Sequence, residues 1–169
     1  FNVGCPSGDY INSISSSISN YEINKTGIGG NINLKLPFIL VSYHPNTTSI
    51  IKENKYSSEL IKALDRLKMQ TIWIWPNIDA GSDIISKNIR VFRELKNPSW
   101  LHLVKNLDPI IYQKLLKRTA CAVGNSSSFV RDSSFSGTPV VLIGDRQNGR
   151  EKASNVINSK NNSIEIFKK

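Results

Sequence analysis

The chain has 169 residues, 39% of them hydrophobic and 21% charged, which is the size and composition of one soluble globular domain. No apolar run approaches the roughly 20 residues that cross a bilayer, and Cys5 and Cys121 lack the spacing of a zinc site or a disulfide framework, so we expect no membrane span and a reducing, cytoplasmic location. The formal charge of +9 favours an anionic partner: nucleic acid, an acidic membrane or a phosphorylated metabolite.

The segment before Phe38 has few residues that could form a core. Ile11 to Ser19 is rich in serine and Thr26 to Gly30 is rich in glycine, a composition typical of connecting chain. We therefore expect residues 1–30 to be an interdomain linker that leads into a domain formed by residues 31–169. The first residues include neither an initiator Met nor a signal peptide, so we expect the chain to begin inside a longer protein.

From Phe38 onward, short β-rich runs alternate with helical patterns, as in a parallel sheet with crossover helices. Strands are predicted over Phe38–Tyr43, Thr71–Trp75, Trp100–Val104, Ala120–Val123 and Pro139–Ile143. Helices are predicted over Ser57–Lys68, from a cap at Ser82 or Asp83 through Ile85, Ile89 and Phe92, and over Pro109–Arg118 behind the cap Asp108. A further short helix is predicted to start at Ser126 to Ser128 and to end near Gly137, and a polar loop runs from Gly144 to Glu151. The predicted fold class is α/β, a Rossmann-like doubly wound parallel sheet.

Small polar loops follow three of these strands. His44 to Thr48 follow the first strand, Asn77 and Asp79 follow the second, and Asn125 to Ser128 follow the strand that ends at Val123. Ligands of an open parallel sheet bind outside the carboxyl ends of its strands, and serines at a helix start offer N–H and hydroxyl donors to a phosphate. One such serine cluster alone is more often a helix cap, but three polar loops at one edge favour a phosphate-bearing ligand.

Several charged or ionisable side chains near these loops have two interpretations. His44 either contacts a phosphate and exchanges a proton or is a satisfied loop histidine, whereas His102, inside a strand, is expected to be structural. Asp132 either accepts from ribose hydroxyls or is a solvated carboxylate, and Arg146 either binds phosphate or pairs with Asp145. Dinucleotide, Walker, zinc and serine-hydrolase motifs do not occur, so the residues themselves predict a phosphate-bearing ligand and nothing finer.

Five short blocks of the sequence occur in the order found in a known family. They are Gly4–Ser7, Val41–Pro45, Trp75–Ser82, Val123–Ser128, and Gly137–Val141 continued through Gly144, Arg146, Gln147, Gly149, Arg150 and Glu151. These blocks resemble the UDP-N-acetylglucosamine 2-epimerase family, in particular its hydrolysing branch. The resemblance implies the second Rossmann-like domain of a two-domain GT-B fold, with the N-terminal domain and the final helix absent.

The resemblance also implies a UDP site. His44 would be the catalytic residue and lie near the diphosphate, Ser126 and Ser127 would contact phosphate, and Asp132 stands where many relatives carry a glutamate on the ribose. The implied UDP-binding residues are His44, Asn77, Ser126, Ser127, Asp132 and Arg146. No metal or other cofactor is implied, and the partners expected are a UDP-sugar and further copies of the full-length enzyme.

In the family's chemistry a base removes the C2 proton while UDP leaves C1, and hydrolysing members hydrate the resulting glycal to the free manno sugar. We therefore expect a hydrolysing UDP-N-acetylglucosamine 2-epimerase that forms N-acetylmannosamine and UDP for the synthesis of sialic-acid-like sugars. Stabilising the departing diphosphate would be the task of this domain. The proton-moving carboxylates would lie mainly in the missing domain, so the chain by itself is expected to be inactive.

Other functions stay open. One alternative is a hydrolysing 2-epimerase of the same branch whose substrate is a UDP-2,4-diacetamido-2,4,6-trideoxy sugar. A non-hydrolysing 2-epimerase usually has an Arg-Arg-Glu type run after the histidine, from which His44–Thr47 departs, and a GT-B glycosyltransferase shares the fold and donor site. A nucleic-acid-binding domain has the charge of +9 as its sole support, because the basic residues are scattered and no recognition motif accompanies them.

Overall fold

The computed structural model describes residues 4–46 and 50–169, and its strands form one sheet in the order β1-β4-β3-β2-β5-β6-β7. The strands are β1 Gly27–Gly29, β2 Ile39–Ser42, β3 Thr71–Ile74, β4 Leu101–Val104, β5 Cys121–Gly124, β6 Val140–Ile143 and β7 Val156–Ser159. The helices are α1 Pro6–Ser13, α2 Asn20–Asn24, α3 Glu53–Leu67, α4 Ser82–Lys96, α5 Pro109–Arg118, α6 Ser128–Arg131, α7 Ser133–Ser136 and α8 Ser163–Lys168. All neighbouring strands run parallel except β1, which is antiparallel to β4.

Both faces of the sheet are covered, which confirms the predicted doubly wound α/β class. Alternate residues of β2 point to opposite faces. Ile39 and Val41 belong to the core formed with α3, α4 and α8, whereas Leu40 belongs to the core formed with α5 and α6. All of β2 is buried because it lies in the middle of the sheet. Its residues Ile39 to Val41 are therefore apolar, as in parallel strands that are covered on both faces, and its last residue, Ser42, is polar.

The direction of winding reverses at β2. From β2 the chain proceeds to β3 and β4 on one side, and it then returns to place β5, β6 and β7 on the other. The loops that leave β2 and β5 therefore diverge at neighbouring strand ends and open a crevice between them. This switch point is where a ligand site is expected in such a sheet.

Gly124 allows β5 to approach β2 at that point. Its φ of +148° lies where L side chains are rare, and a Cβ built on it would be 2.1 Å from the carbonyl oxygen of Ser42. The following residue, Asn125, donates its backbone N–H to the same carbonyl at 3.1 Å. A side chain at position 124 would push the two strand ends apart.

The central elements occur where they are predicted, with differences at their ends. Helix α3 begins one turn earlier than expected, at Glu53, behind a 3₁₀ turn over Ile50–Lys52. Helix α5 has the predicted cap, since the Asp108 side chain accepts from two backbone N–H groups of the first turn. The expected cap of α4 was wrong, because Gly81 is its N-cap and no side chain caps it.

The expectation that the first 30 residues lack core residues was wrong. They form α1, α2 and β1, and Ile11, Ile18 and Ile23 are buried against the domain. The glycines there serve close packing, since a Cβ on Gly30 would lie 1.7 Å from the carbonyl oxygen of Ser99. The boundary between linker and domain that we placed at residue 30 stays a prediction.

Two further elements were not predicted, β7 and α8. Strand β7 is half exposed at the edge of the sheet, so its sequence does not alternate strongly. Helix α8 is short, begins behind the side-chain cap of Asn162 and buries Ile166 against α3. Within the ranges 4–46 and 50–169 no helix is long and apolar enough to cross a membrane.

We expect Gly124→Ala to lower the free energy of unfolding by about 3 kcal/mol or more, because it combines an unfavourable φ with a steric clash. Gly137→Ala is the matched control: its φ is +65°, but a Cβ there meets no atom within 4 Å. That variant should lose only about 1 kcal/mol. Urea unfolding of both variants tests this, and equal losses would contradict it.

Candidate functional site

A cleft of about 430 Å³ lies at the switch point, over the carboxyl ends of β2, β3, β4 and β5. It brings together four of the residues predicted from sequence: His44, Asn77, Ser126 and Asp132. They come from the loops after β2, β3 and β5 and from the junction between α6 and α7. The cleft is also lined by residues that sequence analysis did not select: Tyr10, Lys105, Asn106, Leu107, Tyr112 and Gln113.

The loops after β2 and β5 are joined by a reciprocal pair of hydrogen bonds. The backbone N–H of His44 donates to Asn125 Oδ1 at 2.8 Å, and Asn125 Nδ2 donates to the His44 carbonyl at 2.8 Å. Both residues are buried, so these polar groups have no water to replace a lost partner. Asn125 therefore holds the backbone of residue 44 at a fixed place, independently of the imidazole ring.

The His44 ring is oriented by two contacts. The backbone N–H of Asn77 donates to Nδ1 at 3.4 Å, and Nε2 lies 3.1 Å from Ser42 Oγ. Because Nδ1 accepts, the proton of the neutral ring lies on Nε2. Burial lowers the pKa of His44, Arg146 lowers it further, and Asp79 partly offsets both. The ring is therefore a neutral hydrogen-bond donor at neutral pH.

The serines after β5 form a group of short polar donors. Ser126 Oγ lies 3.0 Å from Ser128 Oγ, and Ser128 Oγ is hydrogen-bonded in turn to the Tyr112 hydroxyl. In the part of the chain that the structure describes, the backbone N–H groups of Ser126, Ser127 and Ser128 donate to no protein acceptor. Ser127 is the N-cap of α6 and its side chain makes no cap bond. Such unpaired donors suit an anionic ligand.

Asp132 is buried at the inner end of the cleft, between α6 and α7. Arg131 Nε donates to its Oδ1 at 2.8 Å, and Gln113 Nε2 donates to its Oδ2 at 3.2 Å. Only 5% of the residue is exposed, so the solvated-carboxylate interpretation of Asp132 does not hold. The carboxylate is held in place by donors on both oxygens.

Two predicted residues do not line this cleft. Ser127, the N-cap of α6, is not among its lining residues, and neither is Arg146, whose Nη1 donates to the Asn125 carbonyl at 3.4 Å. Arg146 is exposed and borders a narrow pocket with Tyr43 and Glu53. Thr47 and Thr48, from the same polar loop as His44, lie outside the described residues.

Glu53 is a buried carboxylate that sequence analysis missed. Its Oε1 accepts the backbone N–H of Asn46 at 2.9 Å, and the Tyr43 hydroxyl donates to its Oε2 at 3.3 Å. Glu53 thus anchors the loop on both sides of His44. Burial raises the pKa of Glu53, although Asn46, Tyr43 and Arg146 act in the opposite direction. Its position at the start of α3 resembles that of an ordinary exposed helix residue, so no local pattern indicates its burial.

His102 is structural, as predicted. Its ring is 2% exposed and lies between two backbone carbonyl groups, with Nδ1 2.9 Å from the Gly30 oxygen and Nε2 3.2 Å from the Ile23 oxygen. The ring thereby attaches the N-terminal segment to β4. Among residues 4–46 and 50–169, no group of three or more His, Cys, Asp or Glu side chains is placed to hold a metal ion.

Comparison with known proteins gives one family. The model of the family described as UDP-N-acetylglucosamine 2-epimerase matches residues 1–169. A relative from Campylobacter jejuni, named GDP/UDP-N,N'-diacetylbacillosamine 2-epimerase (hydrolyzing), is 33% identical over 146 residues, which are 85% of this chain and 38% of that protein. An Escherichia coli relative, polysialic acid biosynthesis protein P7, is 32% identical over 126 residues, 73% of this chain and 31% of that protein. The chain thus spans about a third of the length of these relatives.

Solved structures agree on the fold. A UDP-N-acetylglucosamine 2-epimerase structure from Listeria monocytogenes matches with a TM-score of 0.65 at 11% identity, covering 96% of this chain and 41% of that one. The S. aureus MnaA-UDP co-structure matches with a TM-score of 0.63 at 14% identity, covering 95% and 40%. These likenesses confirm the predicted Rossmann-like half of a GT-B fold.

Opposite pH dependences are expected for two carboxylates of α3. The pKa of Glu53 is raised in the folded state, so its contribution to stability is present at low pH and is lost as pH rises through the folded pKa. The stability of Glu53→Gln relative to wild type should therefore increase as the pH rises from about 4 towards neutral.

Glu59 is the matched control. Its hydrogen bonds from Lys62 and Ser163 lower its pKa to about 2, so its contribution is present above the unfolded pKa and is lost as pH falls. Glu59→Gln should therefore lose stability relative to wild type as pH rises from about 2 to about 4.5. Urea unfolding at several pH values measures both slopes, and slopes of the same sign would refute the assignment.

Proposed function

Because the chain belongs to the UDP-N-acetylglucosamine 2-epimerase family, we propose that its switch-point cleft binds the UDP portion of a UDP-sugar. We propose further that the full-length protein is a hydrolysing UDP-N-acetylglucosamine 2-epimerase, which forms N-acetylmannosamine and UDP through a glycal. The main observation in support of this proposal is that one cleft is lined by four residues from separate parts of the chain: His44, Asn77, Ser126 and Asp132. The MnaA co-structure, a neighbour in fold, was solved with UDP.

The chemistry of the cleft suits a diphosphate at one end and a ribose at the other. Ser126 and Ser128 offer hydroxyl groups and unpaired N–H groups to phosphate oxygens. Lys105 lies at the rim and adds one positive charge. Asp132, at the inner end, is an acceptor of the kind that sugar hydroxyls require.

His44 acts as a donor in this proposal. In the proposal the Nε2–H of the neutral ring exchanges its contact with Ser42 for a hydrogen bond to a phosphate oxygen. Because the ring is neutral, this exchange does not require a buried positive charge. The same proton can be shared with the diphosphate as negative charge develops on it during departure from C1. The lowered pKa of His44 keeps this form populated at neutral pH.

A second substrate is favoured by one observation. The Campylobacter jejuni relative is named for a diacetylbacillosamine, a 2,4-diacetamido-2,4,6-trideoxy sugar, and for a hydrolysing reaction. The two candidate sugars differ at C4 and C6, which the UDP cleft of this chain does not contact in the proposal. Both substrates therefore fit the same nucleotide site, and product analysis must decide between them.

We expect the chain to bind UDP and His44→Ala to weaken that binding about tenfold, as the loss of one hydrogen bond to a charged group does. The variant should keep its fold, because Asn125 binds the backbone of residue 44 and not its ring. Asn158→Ala, on the exposed edge strand β7, is the control and should bind as wild type does. Calorimetric titration measures all three; an unchanged affinity in His44→Ala would remove the role of the ring.

Product analysis tests the reaction itself. The full-length protein, incubated with UDP-N-acetylglucosamine, should release N-acetylmannosamine and UDP in equal amounts, as followed by proton NMR. Parallel incubation with the UDP-diacetamido sugar shows which substrate is preferred. The 169-residue chain in the same assay should release no sugar. Accumulation of UDP-N-acetylmannosamine would identify a non-hydrolysing enzyme instead, and transfer to an added acceptor would identify a glycosyltransferase.

A further inference from the structure

Gln113 is a buried polar side chain in the wall of the cleft. It lies on α5 and is 9% exposed. Its Nε2 donates to Asp132 Oδ2 at 3.2 Å, but its Oε1 is buried and has no hydrogen-bond partner in the described part of the chain. A buried carbonyl oxygen without a donor is energetically unfavourable, and such groups in native proteins call for an explanation.

The orientation of the Gln113 amide follows from its neighbour. Turning the amide over would place Oε1 against the Asp132 carboxylate, so that two acceptors would face each other without a proton between them. The NH₂ group therefore points to Asp132, and the oxygen is the unpartnered atom. The carboxylate of Asp132 accepts one hydrogen bond on each oxygen and has capacity for more. Gln113 Oε1 and the Asp132 carboxylate are therefore two neighbouring acceptors that can each take a further hydrogen bond.

Helix α5 fixes the position of this pair relative to the serine loop. Consecutive residues of α5 contact residues one turn apart on the facing helix: the Tyr112 hydroxyl bonds Ser128, and Gln113 bonds Asp132. The phosphate-binding serines of the proposed function and the Gln113–Asp132 pair are thus held at opposite ends of one short stretch. A nucleoside diphosphate has its ribose next to its phosphates, so the pair is where the sugar of the nucleotide would lie.

We propose that Gln113 and Asp132 together recognise the vicinal hydroxyl groups of the ribose. One hydroxyl donates to Gln113 Oε1 and the other to Asp132, so Gln113 is a specificity-determining residue for ribonucleotides over deoxyribonucleotides. Asp132 is shorter than the glutamate that the family resemblance implies for this contact, and the amide of Gln113 supplies the second acceptor. The inference rests on the proposed function, since it assumes that a uridine nucleotide occupies the cleft.

The alternative is a purely structural pair that attaches α5 to α6. In that case loss of Gln113 would weaken the binding of every nucleotide to the same extent, because all of them need the same helix arrangement. Recognition of the ribose predicts something different: loss of Gln113 should weaken the binding of UDP much more than that of an analogue that already lacks the relevant hydroxyl. The ratio of affinities therefore separates the two.

The test compares UDP, 2′-deoxy-UDP and 3′-deoxy-UDP as ligands of the full-length protein by calorimetry. Wild type should bind UDP at least about tenfold more tightly than each deoxy analogue. In Gln113→Met, which keeps the length of the side chain, the ratio of the affinity for UDP to the affinity for one of the two deoxy analogues should fall to about one, and the ratio for the other analogue should not change. In Asp132→Asn the ratio for that other analogue should fall more strongly.

The outcomes are distinguishable. Unchanged ratios in Gln113→Met with all affinities lowered equally would overturn the inference and leave a structural role. Gln113→Leu provides a second apolar replacement if the Met variant unfolds, with thermal unfolding as the check on both. Equal binding of UDP and both analogues by wild type would also overturn the inference while leaving the proposed function intact. Absence of UDP binding in wild type would remove the proposed function and the inference with it.

Discussion

The close approach of β2 and β5 is the constraint on which the rest of the site depends. Gly124 permits this approach because a Cβ there would meet the carbonyl of Ser42, and Asn125 then joins the two diverging loops with its reciprocal bonds to His44. Every other feature of the cleft is placed relative to this junction. The serine loop continues from Asn125, and the backbone N–H of Asn77 donates to the imidazole of His44, the residue whose backbone Asn125 holds.

The positive charge of the chain indicates the sign of the ligand but not its place. Lys105 is the one cationic side chain that lines the cleft in the described ranges, and His44 is neutral. Recognition of an anion therefore depends on fixed N–H and hydroxyl dipoles, which require no desolvation of a buried cation. The remaining lysines and arginines are spread over the chain, where they supply a diffuse attraction for anions in general. This arrangement agrees with a small phosphorylated ligand better than with a nucleic-acid surface.

Sequence patterns predicted the parts of the molecule that depend on local chemistry. Strands such as Val140–Ile143 are continuous apolar runs, and the polar residues directly behind the central strands were expected at one edge because parallel strands end together. The parts that failed depend on tertiary contacts. Glu53 and Gln113 have the pattern of exposed helix residues, and nothing local indicates that they are buried. In the N-terminal segment the serines and glycines suggested connecting chain, whereas Gly30 is required by its contact with Ser99.

The two buried carboxylates nearest to His44 and the serine loop, Asp132 and Glu53, are unsuited to the proton transfers that a 2-epimerase needs. Asp132 is the one carboxylate lining the cleft in the part of the chain that the structure describes, and under the proposal its remaining lone pairs accept from the ribose and not from the reacting sugar. Glu53 has a raised pKa, but it is fully buried beneath the loop and bound to Tyr43 and Asn46. A base that removes a carbon-bound proton must reach the substrate with a free lone pair. Under the proposed function this chain therefore binds and stabilises the leaving UDP, and the base belongs to the remainder of the full-length protein.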